Sequence, residues 1–498
     1  MLAGPNGSFR SGFDRFLRFS ADGVVAVLLV TAFVSLSRAY DVWNYHLPFA
    51  ARLVGLVTEK QYLFDAENTE RYKGFPLLSE FIQGVLWRVT GRPQSANLLA
   101  VASVPVFAWF LRRRFSVPWH VTVLALFAIP LVQAHAADSF IDLPSSVAVS
   151  VLILVTIRAF AEVQPLGLGW LLIAFLSAAF AVNSKAIVGP TVAFGTALLG
   201  ARLLWLSQRL PDSEKRRYRI QLAAFVLLLP IVFATPLKNL VRYHNPVFPF
   251  QAQVFGYVLP GTEPNYHSSP IWLANASRPT RFAASVLEMG VRPLSDPARW
   301  TYGQLTPLDH PGLRMGGFFG AYVLLNLALL AFRLVRKRSR EAVAAVSGLA
   351  VMTLLVSLIP QSHELRYHMY WMIVLVSINL WLAARPGASL IGPRGFGAIS
   401  LVVLGVVVAV SRGAFLTPRG QTFEELVAKV APRKAIAEIA EGSTVCIARP
   451  PYSLLWSATF HGPRQYRIQG GTSEGHECDS HDGAVVEPRR RRRRRRKG

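Results

Sequence analysis

Charged residues and cysteines are scarce in this chain of 498 residues. Only 16% of the residues are charged, against roughly 25% in an average soluble domain. Low charge together with 52% hydrophobic residues excludes a soluble protein of this length. Cys446 and Cys478 are the two cysteines of the sequence. They allow one disulfide and exclude a disulfide framework.

Acidic residues are few, and nucleotide-binding motifs are absent. The sequence has no glycine-rich phosphate loop and no dinucleotide fingerprint, so a nucleotide-linked substrate is not expected. With 28 acidic against 53 basic residues the net charge is +25, of which the run from Arg489 to Lys497 supplies nine and leaves +16. That run could bind anionic lipid or nucleic acid. A solvated, disordered tail is the favoured interpretation, and no nucleic-acid partner is expected.

Long apolar runs, by contrast, recur along the whole chain. A helix needs about 20 such residues to cross a bilayer, and isolated strands cannot satisfy their backbone there. The runs are continuous rather than alternating, which excludes a large β-barrel. We therefore predict an all-α polytopic membrane protein with eleven transmembrane helices, at about 22–40, 96–112, 119–135, 144–162, 168–183, 186–206, 220–241, 316–332, 343–360, 367–384 and 395–412.

Basic clusters predict the orientation of these helices. They are Arg10/Arg15/Arg18, Arg112-Arg113-Arg114, Lys215-Arg216-Arg217 and Arg333/Arg336/Lys337/Arg338. With a cytoplasmic N-terminus and eleven spans, every cluster falls inside the cell, as the positive-inside rule requires. The segment 75–91 is then an amphipathic helix at the interface rather than a span. The first run lacks a clear cleavage site and reads as a signal anchor.

Three regions follow from this topology. Residues 1–412 form the transmembrane domain, with long outward loops at 41–95 and 242–315, the second showing no helical periodicity. Residues 413–470 are a small extracytoplasmic α/β region, with an amphipathic helix over Glu424–Ala440 and strands at 443–448 and 465–468. Residues 471–498 are the disordered, arginine-rich tail.

Four polar sequences lie at predicted outward helix ends, where a bundle would let them meet at one cavity. They are Asp41 to His46, His135 to Asp142, Asn183-Ser184-Lys185 and His363 to His368. A carboxylate there can take a proton from an attacking hydroxyl, and Lys185 and Arg366 can hold a phosphate. A lipid phosphate would arrive at this depth, so the residues predict transfer of a group from a lipid phosphate to an outside acceptor.

Each of these residues also has a purely structural interpretation. Asp41 could cap a helix, and Asp142, shortly before Pro144, fits a capped helix start. Lys185 could mark a membrane boundary and Arg366 could reach the headgroups. His135, Asp138 and Asp142 could bind a divalent metal at i, i+3 and i+7. No cofactor is assigned, and a metal stays open.

Several motifs together resemble a known family. They are Tyr40-Asp41-Val42-Trp43-Asn44-Tyr45-His46-Leu47-Pro48-Phe49-Ala50-Ala51-Arg52, Phe75-Pro76-Leu77-Leu78-Ser79-Glu80, Asp142-Leu143, Ser184-Lys185, His244-Asn245-Pro246-Val247-Phe248-Pro249-Phe250 and Arg366-Tyr367. In order and spacing, over roughly residues 20–385, the chain resembles bacterial GT-C glycosyltransferases of the protein O-mannosyltransferase and aminoarabinose-transferase type. These membrane enzymes use polyprenyl-phosphate or polyprenyl-diphosphate sugars.

The resemblance implies a role for each site residue. Asp41 would be the general base, and Asp142 the second acid with Asp138 as its rival. The residues that would contact the donor phosphate or line the cavity are Lys185, Arg366, Tyr367, His46 and Glu80. The chain departs from the family in having no second acid after Asp41, and in having Lys185-Ala186 where Lys-Tyr or Lys-Phe is usual.

The implied function is inverting transfer of a sugar from a polyprenyl-phosphate donor to a lipid, glycan or protein acceptor. The active site would face the extracytoplasmic side of the bacterial plasma (inner) membrane. Two other classes stay open. One is a transporter or flippase for lipid-linked glycan, which internal hydropathy repeats would favour. The other is a catalytically idle protein of envelope assembly.

Overall fold

The apolar runs form helices in the computed structural model, which describes residues 5–37, 39–254, 256–264, 275–287, 295, 316–336, 338–385, 391–411, 416–447 and 451–471. Within these ranges, eight helices are long and apolar enough to cross a membrane. Their helical bounds are Pro5–Val34, Leu98–Phe115, Asp142–Ala161, Gly189–Ser207, Gly316–Arg336, Arg340–Leu358, Met369–Ala384 and Pro393–Val410. The tail from 472 onward and Cys478 lie outside the described residues.

The remaining predicted spans are bent or short. Trp119–Phe127 and Pro130–Ala136 meet at 96°, where Pro130 cannot continue the first helix. The segment Asp212–Val232 meets Ala234–Tyr243 at 57°. Leu168–Ser184 is an apolar helix of 17 residues. Every predicted apolar run therefore corresponds to a described helix or bent pair, and the prediction of an all-α polytopic membrane protein is confirmed.

Two helices form the centre of the bundle. In Asp142–Ala161 and Leu365–Ala384, which includes a 3-10 turn over Leu365–His368, 89% of the apolar window is buried, against 28–61% in the other unbent spans. The outer helices expose large apolar side chains such as Trp109, as a lipid-facing surface requires. Asp142 is the first residue of one central helix, and Arg366 lies in the 3-10 turn that begins the other.

The first long loop folds into short helices and one strand. Helices cover Leu47–Leu53, Ala66–Gly74 and Leu78–Thr90, followed by a 3-10 turn over Pro93–Asn97. Leu78–Thr90 buries polar side chains, including Glu80 and Gln83, and exposes Phe81 and Val89. It is not among the described helices that are apolar enough to span the bilayer. A helix with this exposed apolar face fits the predicted position at the membrane interface.

The C-terminal region shares a sheet with that first loop. Strand β1 (Tyr62–Leu63) pairs in parallel with β5 (Arg467–Gly470), which pairs in parallel with β4 (Thr444–Ile447). The other described strands, β2 (Ala252–Val254) and β3 (Tyr257–Leu259), form an antiparallel hairpin in the second long loop. Short 3-10 turns cover Ala186–Val188, Tyr452–Trp456 and Ala458–Phe460. A second apolar core, separate from that of the bundle, lies between the first loop and the C-terminal region.

Two expectations about the extramembrane segments were wrong. The loop 242–315 was expected to show no helical periodicity, yet Arg278–Leu287 is helical; residues 255, 265–274, 288–294 and 296–315 of this loop lie outside the described residues. The predicted helix Glu424–Ala440 is two helices, Phe423–Val430 and Arg433–Ala437. Pro432 has no N–H to continue the first helix, so the chain breaks there.

Candidate functional site

A cavity of about 400 Å³ lies at the end of the bundle where the two central helices begin. All four polar sequences contribute to its wall. Its lining residues are Asp41, Tyr45, His46, Phe75, Pro76, Ile141, Asp142, Ser184, Lys185, Ala186, Ile187, Pro190, Val247, Phe250, Gln251, Ala252, Gln253, Ile359, Pro360, Gln361, Arg366 and Tyr367. The size suits a small ligand or part of a larger one.

Asp41 reaches the cavity from an unusual helical segment. The helix that starts at Tyr40 is a π-helix over Val42–His46. Hydrogen bonds in a π-helix join residues five apart, so Asp41 and His46 lie on the same face, and such segments are frequent at functional sites. Asp41 makes no capping hydrogen bond. Its carboxylate instead accepts from Nη1 of Arg366 at 3.2 Å, so the helix-cap interpretation does not hold.

Asp142 forms the second ion pair of the cavity, with Lys185. Lys185 lies in extended conformation in the turn after Leu168–Ser184, which lets its side chain point to the start of the central helix. The Lys185 ammonium pairs with Oδ1 of Asp142, and the two side chains are 12% and 4% exposed. Burial lowers the pKa of Lys185, and the Asp142 carboxylate opposes this shift. A buried charge needs such a partner.

Tyr367 joins the two cations. The Lys185 ammonium lies 4.5 Å and the Arg366 guanidinium carbon 4.8 Å from the centre of its ring. The Tyr367 hydroxyl also accepts a hydrogen bond of 2.9 Å from Nη2 of Arg366. Cation–π contacts of this kind stabilise partly desolvated charges. The ring therefore holds both cations on one side of the cavity.

Glu80 and Asp138 do not line the cavity. Nδ1 of His46 lies 2.8 Å from Oε1 of the buried Glu80, which thereby orients the ring from behind. Asp138 bonds to the backbone N–H of Ser139 at 2.7 Å and to the side chain of Ser37. Burial raises the pKa of Asp138 to about 6, against these hydrogen bonds and the nearby His46. Of the two rival acids, Asp142 is the one at the cavity wall.

Neutral residues also line the cavity. Ser184, from the third polar sequence, has a buried hydroxyl with no hydrogen-bond partner among the described residues. Three amide side chains, those of Gln251, Gln253 and Gln361, border the cavity as well and escaped the sequence-based prediction. Gln361 lies at φ 59, a left-handed conformation that is uncommon outside glycine. Only its position shortly before Arg366 could have indicated it.

The hairpin that supplies Gln251 and Gln253 is anchored to the first loop. Arg71, in the helix Ala66–Gly74, donates from Nε and Nη2 to the two carboxylate oxygens of Glu263, both at 2.8 Å. Its guanidinium also lies 5.6 Å from the Tyr45 ring centre. Bidentate pairs of this kind add geometric specificity. The pair therefore fixes one wall of the cavity against the segment that carries Asp41.

The residues considered for a metal are not assembled. His135 is buried, and its Nδ1 bonds at 2.9 Å to the carbonyl of Leu131 in its own helix. In the described part of the chain, no group of three or more His, Cys, Asp or Glu side chains has the arrangement of a metal site. Asn183, from the third polar sequence, does not face the cavity. Its side chain donates a hydrogen bond to the carbonyl of Val232 and accepts one from the hydroxyl of Thr235.

The fold and the cavity define a class: an integral membrane protein of many helices, with a charged cavity at one end of the helical bundle. No family model and no curated protein matches the chain. Two solved structures are similar to it, both of ArnT from Cupriavidus metallidurans. The apo structure has a TM-score of 0.50 at 12% identity, covering 92% of this chain and 86% of that chain. The structure bound to undecaprenyl phosphate has a TM-score of 0.48 at 13% identity, with the same coverage.

ArnT is an aminoarabinose transferase of the GT-C family. At 12% identity the likeness to its apo structure establishes the fold alone. The resemblance expected from the sequence motifs is thus confirmed at the level of the fold.

Proposed function

We propose that this protein transfers a sugar from a polyprenyl-phosphate donor to an extracytoplasmic acceptor, with inversion at the anomeric carbon. The observation that carries the proposal is the pairing of two carboxylates with two cations around one cavity, Asp41 with Arg366 and Asp142 with Lys185. The cavity lies at the end of a membrane bundle, where a lipid phosphate would arrive. The fold shared with ArnT supports this choice of chemistry.

The donor phosphate would bind to the cationic side of the cavity. Arg366 offers a planar fork and Lys185 a compact charge, the two groups that proteins use most for phosphate. The unpartnered hydroxyl of Ser184, next to Lys185, would supply a further donor. Because phosphate is a good leaving group when its charge is held in this way, the reaction needs no strong general acid.

Asp41 would act as the general base. At 27% side-chain exposure it is the more accessible of the two cavity acids, whereas Asp142 is 4% exposed. The carboxylate takes the proton of the acceptor hydroxyl while the acceptor oxygen bonds to the anomeric carbon. The bond from that carbon to the phosphate oxygen breaks, and its electron pair leaves with the polyprenyl phosphate.

The opposite wall would receive the sugar and the first units of the lipid. It is apolar where Phe75, Val247 and Phe250 face the cavity, and it carries the amides of Gln251 and Gln253. Apolar walls with a few placed polar groups are typical of small-molecule sites. The amides would hydrogen-bond sugar hydroxyls, and the apolar surface would accept an isoprenoid chain.

To test the proposal, the purified protein is incubated with a panel of polyprenyl-phosphate sugars, and the released polyprenyl phosphate is measured. We expect release with one donor class, and a loss of about 100-fold or more in Asp41→Asn, since general bases contribute 10²–10⁴. Asp14→Asn is the matched control, because Asp14 pairs with Arg394 at 2.8 Å, away from the cavity.

Two results would contradict the proposal. Near-normal turnover in Asp41→Asn would assign the base elsewhere. Movement of the donor between bilayer leaflets without release of polyprenyl phosphate would identify a flippase instead.

A further inference from the structure

The four charges of the cavity cancel in the free protein. Asp41 accepts from Arg366 at 3.2 Å and Asp142 pairs with Lys185, so each cation already holds a carboxylate. A phosphate that binds the same two cations has to compete with these carboxylates. This competition is strongest at the more buried pair, Asp142 with Lys185, because Coulomb energies rise as the effective dielectric constant falls.

We propose that Asp41 and Asp142 occupy the phosphate's place in the free protein and return to the two cations to expel the polyprenyl phosphate after transfer. This inference rests on the function proposed above. It gives the acids a task in product release, in addition to the role of Asp41 as base.

The charge changes during the reaction make such a device necessary. The donor phosphate is a diester with one negative charge, and the released polyprenyl phosphate is a monoester that carries up to two. Lys185 and Arg366 would therefore bind the product more tightly than the substrate. At the same moment Asp41 holds the acceptor's proton and is neutral. When it passes that proton to water, its charge returns, and it competes for Arg366 again.

The two ion pairs differ in burial, so the two acids differ in how strongly they compete with the phosphate. The Asp41–Arg366 pair is 27% and 18% exposed, whereas the Asp142–Lys185 pair is 4% and 12% exposed. An exposed carboxylate is stabilised by water when it leaves its partner, and a buried one is not. The phosphate therefore displaces Asp41 from Arg366 readily, and Asp142 competes more strongly with the phosphate for Lys185.

The test is the affinity of the full-length protein in lipid nanodiscs for undecaprenyl phosphate, the ligand of one ArnT structure. Removing a competing charge should tighten binding: we expect Asp142→Asn to lower the Kd about tenfold and Asp41→Asn to lower it severalfold. Asp14→Asn should leave the Kd unchanged. Undecaprenol, which lacks the phosphate, should show no difference between the variants.

A double variant separates competition from a general structural effect. In a Lys185→Met background Asp142 loses its ion-pair partner, with Arg366 as the remaining nearby cation, and burial then favours the protonated carboxyl. Adding Asp142→Asn to that background should therefore change the Kd less than twofold. The same comparison is made for the other pair by adding Asp41→Asn to an Arg366→Gln background. Because two independent pairs are tested, the conclusion does not depend on the folding of one variant.

The outcomes distinguish this inference from the function on which it rests. If the unsubstituted protein binds undecaprenyl phosphate but the Asn variants bind it equally or more weakly, the product-release role is overturned and the proposed transfer stands. If the unsubstituted protein does not bind undecaprenyl phosphate above the level of undecaprenol, both fall. Tighter binding in the Asn variants, lost in the double variants, supports the inference.

Discussion

At the edge of the cavity, three ionisable side chains lie close together: His46, which lines it, and Glu80 and Asp138 behind it. His46 contacts Glu80 at 2.8 Å, and Asp138 lies near enough for His46 to lower its pKa. Oε2 of Glu80 is buried and has no hydrogen-bond partner in the described part of the chain. Burial disfavours the charged form of a carboxyl, and it raises the pKa of Asp138 to about 6 against the opposing effect of His46.

Asp138→Asn should change how stability depends on pH. The folded-state pKa of about 6 lies above the ordinary 3.8, so between these values the folded protein binds the proton that the unfolded chain releases. The contribution is present below about pH 4 and is lost as pH rises to 6. Relative to Asp138→Asn, the unsubstituted protein should lose about 3 kcal/mol across this window, because each pKa unit corresponds to about 1.4 kcal/mol. Thermal unfolding at pH 4 to 7 measures it; parallel curves for the two proteins would contradict the assignment.

The charged residues of the site could be predicted from the sequence, and its amide side chains could not. Asp41, Lys185 and Arg366 stand out because charge next to an apolar run is costly and therefore uncommon. Gln251 and Gln361 resemble ordinary polar residues of any loop, and only the folded chain reveals that they face a cavity. The pairing of each acid with a particular cation also depends on contacts between distant segments, which no local pattern encodes.

Among the elements, the π-helical segment packs on two sides, one facing the cavity and one facing the C-terminal region. Asp41 and His46 face the cavity, while Trp43, in the same segment, is fully buried on the other side. The Trp43 ring stacks on Phe423 at 6.4 Å and 5°, contacts Tyr452 at 5.8 Å, and donates from Nε1 to the carbonyl of Ser37 at 2.8 Å. The C-terminal region thus positions the segment that carries the proposed base.

Trp43→Ala should destabilise the protein by about 3–5 kcal/mol, the usual cost of removing a buried Trp. The expected result is a clearly lower thermal unfolding temperature and lower transfer activity. Trp109→Ala is the control, because Trp109 is 57% exposed on a helix at the lipid-facing surface. If the two variants lost the same amount of stability and activity, the packing around Trp43 would contribute no more than an exposed tryptophan does.

The helices of the bundle could be predicted because each is a long uninterrupted apolar run. The helix Arg278–Leu287 could not, since it is short and amphipathic and lies in a proline-rich loop. The strands β4 and β5 were predicted, at 443–448 and 465–468, but the sheet that they form with β1 was not. A strand of two residues carries little periodic signal, and β1 pairs with a strand from the other end of the chain.

For the whole molecule, the orientation in the membrane decides which acceptors the site can meet. The basic clusters favour a cytoplasmic N-terminus. With that orientation, the cavity and the first loop face outward, and the turn at residues 207–212 faces the cytoplasm. Glu59 and Asp212 mark the two sides, with side chains 81% and 100% exposed.

A membrane-impermeant maleimide distinguishes the two orientations. In spheroplasts, Glu59→Cys should react within minutes, and Asp212→Cys should react only after the membrane is permeabilised. The unsubstituted chain measures the background labelling. The reverse pattern would place the cavity in the cytoplasm and exclude an extracytoplasmic acceptor.

The shared sheet has a consequence for biosynthesis. Tyr62 in β1 pairs with Ile468 in β5, which the ribosome adds 406 residues later. At about 5–20 residues per second this takes roughly 20 to 80 s. During that time the first loop has been made but lacks the partners of β1 and Trp43. A nascent chain therefore carries the acid before its support, and the segment of Asp41 is held in place only once β5 has been made.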